Sequence, residues 1–257
     1  MDALTQTIAF PDDIAPEQRV RLGMLTPSSN TVLEPVCAAM LRSVPEVSLH
    51  FGRFRVTEIS LRSESNDQFA FEPMLGAASL LVDAKVNTIC WNGTSASWLG
   101  LDRDRDLCAT IARSTGVQAT SSVLAMFEIM RRAGLKRVGI VTPYIDRVQE
   151  LIVENFAAEG ISVIAERHVG LSENFAFANV TAGQIAEMIR GVAADGAEAA
   201  LVLCTNVRGG PLAAELENET GIPILDSVAT AVWGALRVAG VSPRRVRGWG
   251  RLFDEFS

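Results

Sequence analysis

The sequence predicts an α/β fold class, with two pseudo-symmetric, Rossmann-like halves that each contain a parallel sheet. Two observations carry this prediction. Short apolar runs alternate with amphipathic helical segments along the 257 residues, and such alternation is typical of parallel sheets with right-handed crossovers. Three stretches of the first half also recur in the second half, in the same order and at similar spacing.

The internal repeat is visible in three pairs of segments. The stretch "VRLGMLTPSSN" at 20–30 matches "KRVGIVTPYID" at 136–146, an offset of 116 residues. Further on, "ICWNGTS", which begins at residue 89, matches "ALVLCTN", which begins at residue 200. The last pair is "GVQATSSV" from residue 116 and "GIPILDSV" from residue 221. One such match could arise by chance, but three in the same order indicate two halves of similar structure.

The apolar pattern predicts the individual elements. Runs such as "RLGMLTP", "VNTICWN", "RVGIVTP" and "AALVLCT" are bounded by turn residues, as buried parallel strands are. The segments "SSVLAMFEIMRRAG" and "DRVQELIVENFAAEG" have apolar residues at helical spacing and close at Gly134 and Gly160. The expected domains are a polar tail at 1–18, a first half at 19–120 plus 225–257, and a second half at 121–224.

The carboxyl ends of the strands are where ligands bind in parallel sheets. Two similar halves that face each other would gather these ends around one cleft, and we expect the active site there. The candidate residues at the four strand ends are Ser29, Asn30, Gly93, Thr94, Ser95, Tyr144, Cys204, Thr205 and Asn206.

Each candidate also has an ordinary structural interpretation. Asn30 precedes a helical segment, where it can cap the helix or hold a substrate carboxylate together with the helix amides. Tyr144 is the only tyrosine in the chain, and it can pack in the core or reach into the cleft. Cys204 ends an apolar run, where a thiol is either inert or tuned by a nearby helix N-terminus. The turn at 93–95 offers backbone N–H groups and two hydroxyls.

Composition excludes several function classes. A net charge of −7 with interspersed charges argues against nucleic acid as a partner, and no apolar run approaches the length of a membrane span. The four cysteines form no CxxC pair, which argues against disulfides and a zinc site and favours a reducing cytoplasm. The sequence has no GxGxxG motif and no Walker lysine. His50 and His168 lie away from the strand ends, so a Ser-His-Asp or Cys-His arrangement is not expected.

These motifs resemble the aspartate/glutamate racemase superfamily, and within it the maleate cis-trans isomerases and arylmalonate decarboxylases. The resemblance rests on the "PSSNT" turn, the "TS" turn and the cysteine-threonine pair, and it extends from residue 20 to about 256, including "GWGRLFDEF". Racemases of this superfamily use two cysteines, one in each half, and maleate isomerases also have both. Here the internal repeat aligns Cys204 with Gly93, so the first-half thiol is missing.

The resemblance to the decarboxylases implies roles for individual residues. Thr94, Ser95, Tyr144 and a backbone N–H near Thr205 would donate hydrogen bonds to both oxygens of an enediolate, and Cys204 would donate the proton. The turn that contains Asn30 is instead similar to the isomerases, in which the asparagine holds a substrate carboxylate. Ser29, Gly93 and Asn206 would complete the substrate site.

The expected function is therefore a cofactor-independent decarboxylase of a malonate-type acid, with aryl- and alkenyl-substituted malonates among the candidate substrates. The alternative is an isomerase or racemase-like enzyme that acts on a small dicarboxylate without the first cysteine. A third hypothesis is a carboxylate-binding protein without activity. In each case the partner is a small carboxylic acid, no metal or cofactor is expected, and the chain is a monomer or a small homo-oligomer.

Overall fold

The computed structural model describes residues 14–59 and 68–256. Residues 1–13 of the expected polar tail lie outside the described residues. The first part of the chain forms β1 (Val20–Pro27), α1 (Leu33–Met40), β2 (Val47–Phe54), α2 (Phe71–Asp83), β3 (Thr88–Trp91), α3 (Ala96–Leu99), α4 (Leu101–Thr115), β4 (Ala119–Ser121) and α5 (Ser122–Ala133). The second part forms β5 (Arg137–Thr142), α6 (Asp146–Ala158), β6 (Ser162–His168), α7 (Ala182–Ala194), β7 (Ala199–Val202), α8 (Ala213–Thr220), β8 (Ile224–Asp226), α9 (Ser227–Val238) and α10 (Arg251–Glu255).

The strands form two four-stranded parallel sheets, and this confirms the predicted α/β fold with two similar halves. The first sheet has the order β2-β1-β3-β4, and the second has the order β6-β5-β7-β8. Adding four to each strand number of the first order gives the second order, so the two halves have the same topology. All inter-strand pairs in both sheets are parallel.

The central strands are mainly apolar because helices cover both faces of each sheet. Every residue of β3 and β7 is buried. The apolar face predicted for α6 consists of Val148, Leu151, Ile152 and Phe156; the structure buries three of these residues and leaves Leu151 half-buried. Among the residues that the structure describes, no helix is both long enough and apolar enough to cross a bilayer.

The two helices that follow β4 and β8 join the halves. Helix α5 packs against α9, and α9 in turn packs on β3 and β4 of the first sheet. The close approach of these helices requires Gly234, because a Cβ atom there would lie 2.8 Å from the Cβ of Ala125. Each helix begins with a side-chain cap: Ser121 accepts from the Leu124 N–H, and Asp226 accepts from two backbone N–H groups.

The predicted division into halves remains a prediction, and its boundaries fall inside two strands. Strand β4 ends at Ser121 and pairs with β3, while β8 runs to Asp226 and pairs with β7. The expected boundaries after residues 120 and 224 therefore cut both strands. Each of these strands has three residues and leads directly into a helix, so the apolar pattern does not mark where the strand ends.

Asp104 is a buried carboxyl group on α4, beside Ser121 at the end of β4. Its side chain is 1 % exposed, and one carboxyl oxygen has no hydrogen-bond partner among the described residues. Burial raises the pKa of Asp104 from 3.8 to about 7, although the Ser121 hydroxyl and the charge of Arg103 act in the opposite direction. The neutral acid is therefore the form that the folded protein favours.

This carboxyl group should make stability depend on pH. Because its pKa is higher in the folded state, its contribution is complete below about pH 4 and is lost as the pH rises to about 7. Asp104→Asn keeps the shape and removes the titration. In urea titrations, the difference in free energy of unfolding between the wild type and Asp104→Asn should therefore decrease as the pH rises from 4.5 to 7.

The matched control is Asp106→Asn, since Asp106 is exposed on the same helix. This variant should follow the wild type across the pH range. A wild-type advantage over Asp104→Asn that stays constant with pH would contradict the assignment of a raised pKa to Asp104.

Candidate active site

A small cavity lies where the carboxyl ends of the two sheets meet. Its volume is about 20 Å³, room for about one water molecule. A larger surface groove of about 530 Å³ runs along α4, α5 and the end of α6, but it contains none of the predicted site residues. The small cavity is lined by Pro27, Val56, Ile59, Phe69, Trp91, Gly93, Thr94, Ser95 and Trp98 of the first half, and by Tyr144, Asn174, Cys204 and Thr205 of the second half.

The polar side of the cavity is a chain of hydrogen-bonded side chains that spans both halves. The Thr94 hydroxyl and the Tyr144 hydroxyl are 2.7 Å apart. Tyr144 also forms a hydrogen bond with Cys204. Burial raises the pKa of Tyr144 well above its usual value, and the negative charge that Cys204 would carry as a thiolate raises it further. Tyr144 is therefore a neutral phenol.

Cys204 is a neutral thiol in this environment. Burial raises its pKa to about 12, while hydrogen bonds from Tyr144 and from the backbone N–H of Asn206 act in the opposite direction. The Asn206 nitrogen lies 3.4 Å from the sulfur. A thiol with such a pKa is protonated at neutral pH, so it can donate a proton but is a poor nucleophile.

Two predicted site residues, Asn30 and Asn206, lie behind the cavity wall and not in its lining. The side-chain oxygen of Asn30 accepts from the N–H groups of Val32 and Leu33, which is the capping role that the sequence left open. Its side-chain nitrogen donates to the Thr205 hydroxyl at 3.1 Å. The oxygen of Asn206 accepts from the N–H groups of Thr31 and Val32 across the two halves.

Ser29 is likewise held by protein partners. Its hydroxyl donates to the Val56 carbonyl at 2.5 Å and accepts from the Asn174 side chain at 2.7 Å. The backbone carbonyl of Asn174 also accepts a hydrogen bond from the side chain of Asn206 at 2.6 Å. The structure therefore gathers Gly93, Thr94, Ser95, Tyr144, Cys204 and Thr205 around the cavity, while Ser29, Asn30 and Asn206 support its wall. Substrate contact by these three residues remains a prediction.

Gly93 occupies the position that corresponds to Cys204, and the reason for the glycine is space. A Cβ atom at residue 93 would overlap the six-membered ring of the Trp91 indole. The φ angle of Gly93 is outside the left-handed range, so the backbone does not require glycine. Trp91 is itself held by two aromatic rings, with centroid distances of 5.2 Å to Phe54 and 6.4 Å to Phe69.

The remaining cysteines are buried and do not line the cavity. The sulfur of Cys90 is directed toward the Ala231 carbonyl at 3.6 Å, so it does not replace the thiol missing at residue 93. His168 lies between Glu166 and Asp146 on the outer part of the second half. Among residues 14–59 and 68–256, no three His, Cys, Asp or Glu side chains form a group that could hold a metal ion.

Several lining residues were missed by the sequence analysis. Two tryptophans flank the turn at 93–95 within "CWNGTSASW", namely Trp91 and Trp98. Two such large side chains beside a predicted site turn indicate lining residues. Asn174 lies in a loop without a recognisable pattern. Three further lining residues come from segments after β2, where the sequence predicts no strand end: Val56, Ile59 and Phe69.

Comparison with known proteins places this chain in one enzyme family. The family model for arylmalonate decarboxylase matches residues 29–253. The chain therefore belongs to the arylmalonate decarboxylase family. It is 26 % identical to an arylmalonate decarboxylase of Bordetella bronchiseptica, over 91 % of this chain and 96 % of that protein. It is also 26 % identical to a maleate isomerase of Pseudomonas putida, over 92 % of this chain and 98 % of that protein.

Solved structures of both kinds of enzyme share the fold. A cysteine-to-serine mutant of Nocardia farcinica maleate cis-trans isomerase, with a covalently bound succinylcysteine intermediate, gives a TM-score of 0.84 at 26 % identity. The alignment covers 93 % of this chain and 99 % of that one. A crystal structure of arylmalonate decarboxylase gives a TM-score of 0.77 at 24 % identity and covers 91 % and 99 % of the two chains. The family thus includes decarboxylases and isomerases, and the superfamily resemblance inferred from the motifs is confirmed.

The packing of Trp91 on Gly93 should be measurable in stability. Gly93→Ala forces the indole to move within an aromatic cluster, and overpacking of this kind costs about 1–3 kcal/mol. The double variant Trp91→Leu/Gly93→Ala should be less destabilised than the sum of the two single variants, because the smaller side chain leaves room for the methyl group. Urea unfolding of the four proteins gives this coupling.

Gly76→Ala is the matched control, because a Cβ atom at this helical glycine meets no atom within 4 Å. It should raise stability by roughly 0.5–1 kcal/mol through helix propensity. Additive effects of Trp91→Leu and Gly93→Ala would show that the two side chains do not compete for one space.

Proposed function

We propose that this protein is a cofactor-independent decarboxylase of a malonate-type acid with a small substituent, and that Cys204 protonates the product carbanion. The observation that carries the proposal is the asymmetry of the two faces of the cavity. One face presents the neutral thiol of Cys204, and the pseudo-symmetric position is Gly93, covered by the Trp91 ring. Decarboxylation needs a single proton on a single face, and such a site suits it.

The hydroxyl groups of the cavity suit the charge that develops in this reaction. Loss of carbon dioxide leaves an enediolate whose two oxygens carry negative charge. Thr94, Ser95 and Tyr144 are neutral donors in a buried cavity, where hydrogen bonds to an anion are strong. Each preorganised donor of this kind contributes roughly 3–4 kcal/mol to stabilising the transition state.

The proposed step balances without a further reactant except a proton from solvent. The bond between the α-carbon and one carboxylate breaks, carbon dioxide leaves, and the electron pair remains on the α-carbon and spreads over the retained carboxylate. The sulfur–hydrogen bond of Cys204 then breaks, and its proton forms a bond with the α-carbon. The resulting thiolate is stabilised by Tyr144 and by the Asn206 N–H until it takes a proton from water.

Access to the cavity requires its cover to move. At about 20 Å³ the cavity does not hold a dicarboxylate as it stands. The cover includes backbone hydrogen bonds between the halves, from the Ile59 N–H to the Ser172 carbonyl at 2.8 Å and from the Asn174 N–H to the Thr57 carbonyl at 3.0 Å. Opening would break both of these bonds. The Trp91 ring, which fills the space beside Gly93, supports a small substituent over an aryl group.

The second candidate is a maleate-type cis-trans isomerase, and the polar turn at Asn30 favours it. Maleate isomerases are among the relatives, and the one from Pseudomonas putida has the same 26 % identity to this chain as the decarboxylase. The superfamily resemblance assigns two cysteines to these isomerases, and the first of them corresponds to Gly93 here. Two assays separate the candidates: release of carbon dioxide from malonate, methylmalonate, hydroxymalonate and phenylmalonate, and formation of fumarate from maleate. Fumarate formation without carbon dioxide release would overturn the proposed decarboxylase.

Replacement of the acid should remove the reaction. Cys204→Ala should release carbon dioxide at least 100-fold more slowly than the wild type, because general acid catalysis contributes typically 10²–10⁴-fold. Cys108→Ala is the matched control, because Cys108 is a buried cysteine outside the cavity, and it should keep the wild-type rate. Thermal unfolding checks that both variants fold. Wild-type turnover by Cys204→Ala would rule out its role as the acid.

Loss of a hydroxyl should lower kcat more than it changes substrate binding. Tyr144→Phe keeps the ring, and its edge contacts with Trp98 and Phe177, but removes one donor. Its kcat should fall by roughly 10²–10³. Thr94→Val should have a similar effect. If KM rises while kcat is unchanged, these hydroxyls bind the ground state and the transition state equally.

A further inference from the structure

A buried carboxyl group, that of Asp226, lies beside the segment that carries Cys204, and the mechanism above does not use it. Asp226 is the last residue of β8 and is 1 % exposed. In the second sheet it pairs with Val202, which is two residues before Cys204. Because burial of a carboxyl group costs free energy, the contacts of Asp226 indicate what it contributes.

The carboxyl group joins the start of α9 to the turn that begins at Cys204, residues 204–210. On one side, Oδ1 accepts from two backbone N–H groups in the first turn of α9. On the other side, a Cβ atom at Gly209 would lie 2.8 Å from Oδ2, so the backbone of the turn is packed directly against Asp226. The N–H groups of Gly209 and Gly210 face the carboxyl group and partly offset the effect of burial on its pKa.

The same turn holds the groups that surround the thiol. The Asn206 nitrogen lies 3.4 Å from the sulfur of Cys204, and Thr205 lines the cavity. The Val207 N–H donates to the Cys204 carbonyl at 3.2 Å. A displacement of the turn would therefore change both the direction of the thiol and the N–H group that faces it.

The internal repeat supports a role for Asp226 that is specific to the half with the thiol. The segments "GVQATSSV" and "GIPILDSV" align Asp226 with Ser121, and both residues cap the helix that follows. The half that contains Gly93 thus has a neutral cap, and the half that contains Cys204 has an acidic one. Since serine caps a helix about as well as aspartate, capping alone does not require a buried carboxyl group.

The charge of Asp226 opposes ionisation of the thiol. Burial raises the pKa of Asp226 from 3.8 to about 7, so this group becomes charged near neutral pH. Its negative charge then raises the pKa of Cys204 in addition to the larger effect of burial. On α1 it acts in the same way on Cys37, which Glu34 also affects. Arg208 is exposed on the turn, and at the opposite end of β8 Glu217 accepts from the Arg251 N–H.

We propose that Asp226 is a positioning residue for Cys204: it anchors the turn that carries the thiol on the start of α9, and its charge disfavours a thiolate. Cys204 is thereby kept as a proton donor and prevented from acting as a nucleophile. The use of that proton in decarboxylation rests on the proposed function. The effect of Asp226 on the thiol is measured without turnover.

The test is the rate at which Cys204 reacts with methyl methanethiosulfonate, a small reagent that thiolates attack. The cysteine sulfur forms a disulfide with the methylthio group and methanesulfinate leaves, and mass spectrometry of the peptide that contains Cys204 follows the product. Well below the pKa of an isolated thiol, this rate rises about tenfold per pH unit. In the wild type the rise should flatten around pH 7, where Asp226 becomes charged, and resume above pH 8.

Asp226→Asn retains an oxygen for the helix cap and removes the charge. Its rate should rise without flattening between pH 6 and pH 9. The ratio of its rate to that of the wild type should increase by roughly 10-fold over this range, the order expected of two charges several ångströms apart in a protein. Loosening of the turn alone would change the rate by one constant factor at every pH.

Glu217→Gln is the matched control, because it removes a buried acid at the other end of β8. This variant should keep the flattening of the wild type. Asp226→Ser, which copies Ser121, replaces Asp226→Asn if the latter does not fold, and the wild-type profile is a test without any variant. The proposal is overturned if the wild-type profile does not flatten, if the flattening persists without Asp226, or if Glu217→Gln also removes it.

Failure of this inference is distinguishable from failure of the proposed function. Carbon dioxide release that depends on Cys204, together with a wild-type profile that does not flatten, would overturn the role of Asp226 and leave the decarboxylase. Flattening that depends on Asp226, in a wild type that releases no carbon dioxide from any of the malonates, would overturn the decarboxylase and leave the role of Asp226.

Discussion

The hydrogen bond between Thr94 and Tyr144 is the contact on which the candidate site depends. It joins the end of a strand in the first sheet to the end of a strand in the second sheet, at 2.7 Å. The duplicated strand order brings the carboxyl ends of both sheets to one place, and neither half alone provides the set of donors. Cys204 is part of the same chain through Tyr144. The alignment of the two halves therefore determines the distance from the hydroxyl donors to the thiol.

A second layer of hydrogen bonds maintains that alignment. Asn206 of the second half accepts from the N–H groups of Thr31 and Val32 in the first half, and Asn30 donates to Thr205 in the opposite direction. These contacts join the turn after β1 to the turn after β7, although the internal repeat matches Asn30 to Asp146 and Asn206 to Ser95 and does not relate the two asparagines to each other. Such bonds give the polar turn after β1 a structural role beside a cavity that its side chains do not line.

Much of the fold follows from the sequence, but the orientation of single side chains in the site does not. The repeated segments and short apolar runs were enough to predict two parallel sheets, because strands buried on both faces are continuous apolar runs. For the same reason the pattern carries no information on which face of β3 presents Trp91 to the cavity. The support that Asn30 and Asn206 give to the wall depends on contacts across 175 residues or so of chain. Asn174 lies in a loop, and only the folded chain places it beside Ser29.

Burial gives this site both its acid and its donors. Removal of water raises the pKa of Cys204 to about 12 and keeps its proton in place at neutral pH. The same removal of water strengthens the hydrogen bonds that Thr94 and Tyr144 can make to a charged ligand. A more open cavity would lower the thiol pKa and weaken those donors together. The Trp91 ring, which replaces a side chain at residue 93, contributes to both effects by filling the first-half face with apolar surface. The loss of the first thiol is thus accompanied by a drier environment for the second, and that combination suits one-sided protonation of a carbanion.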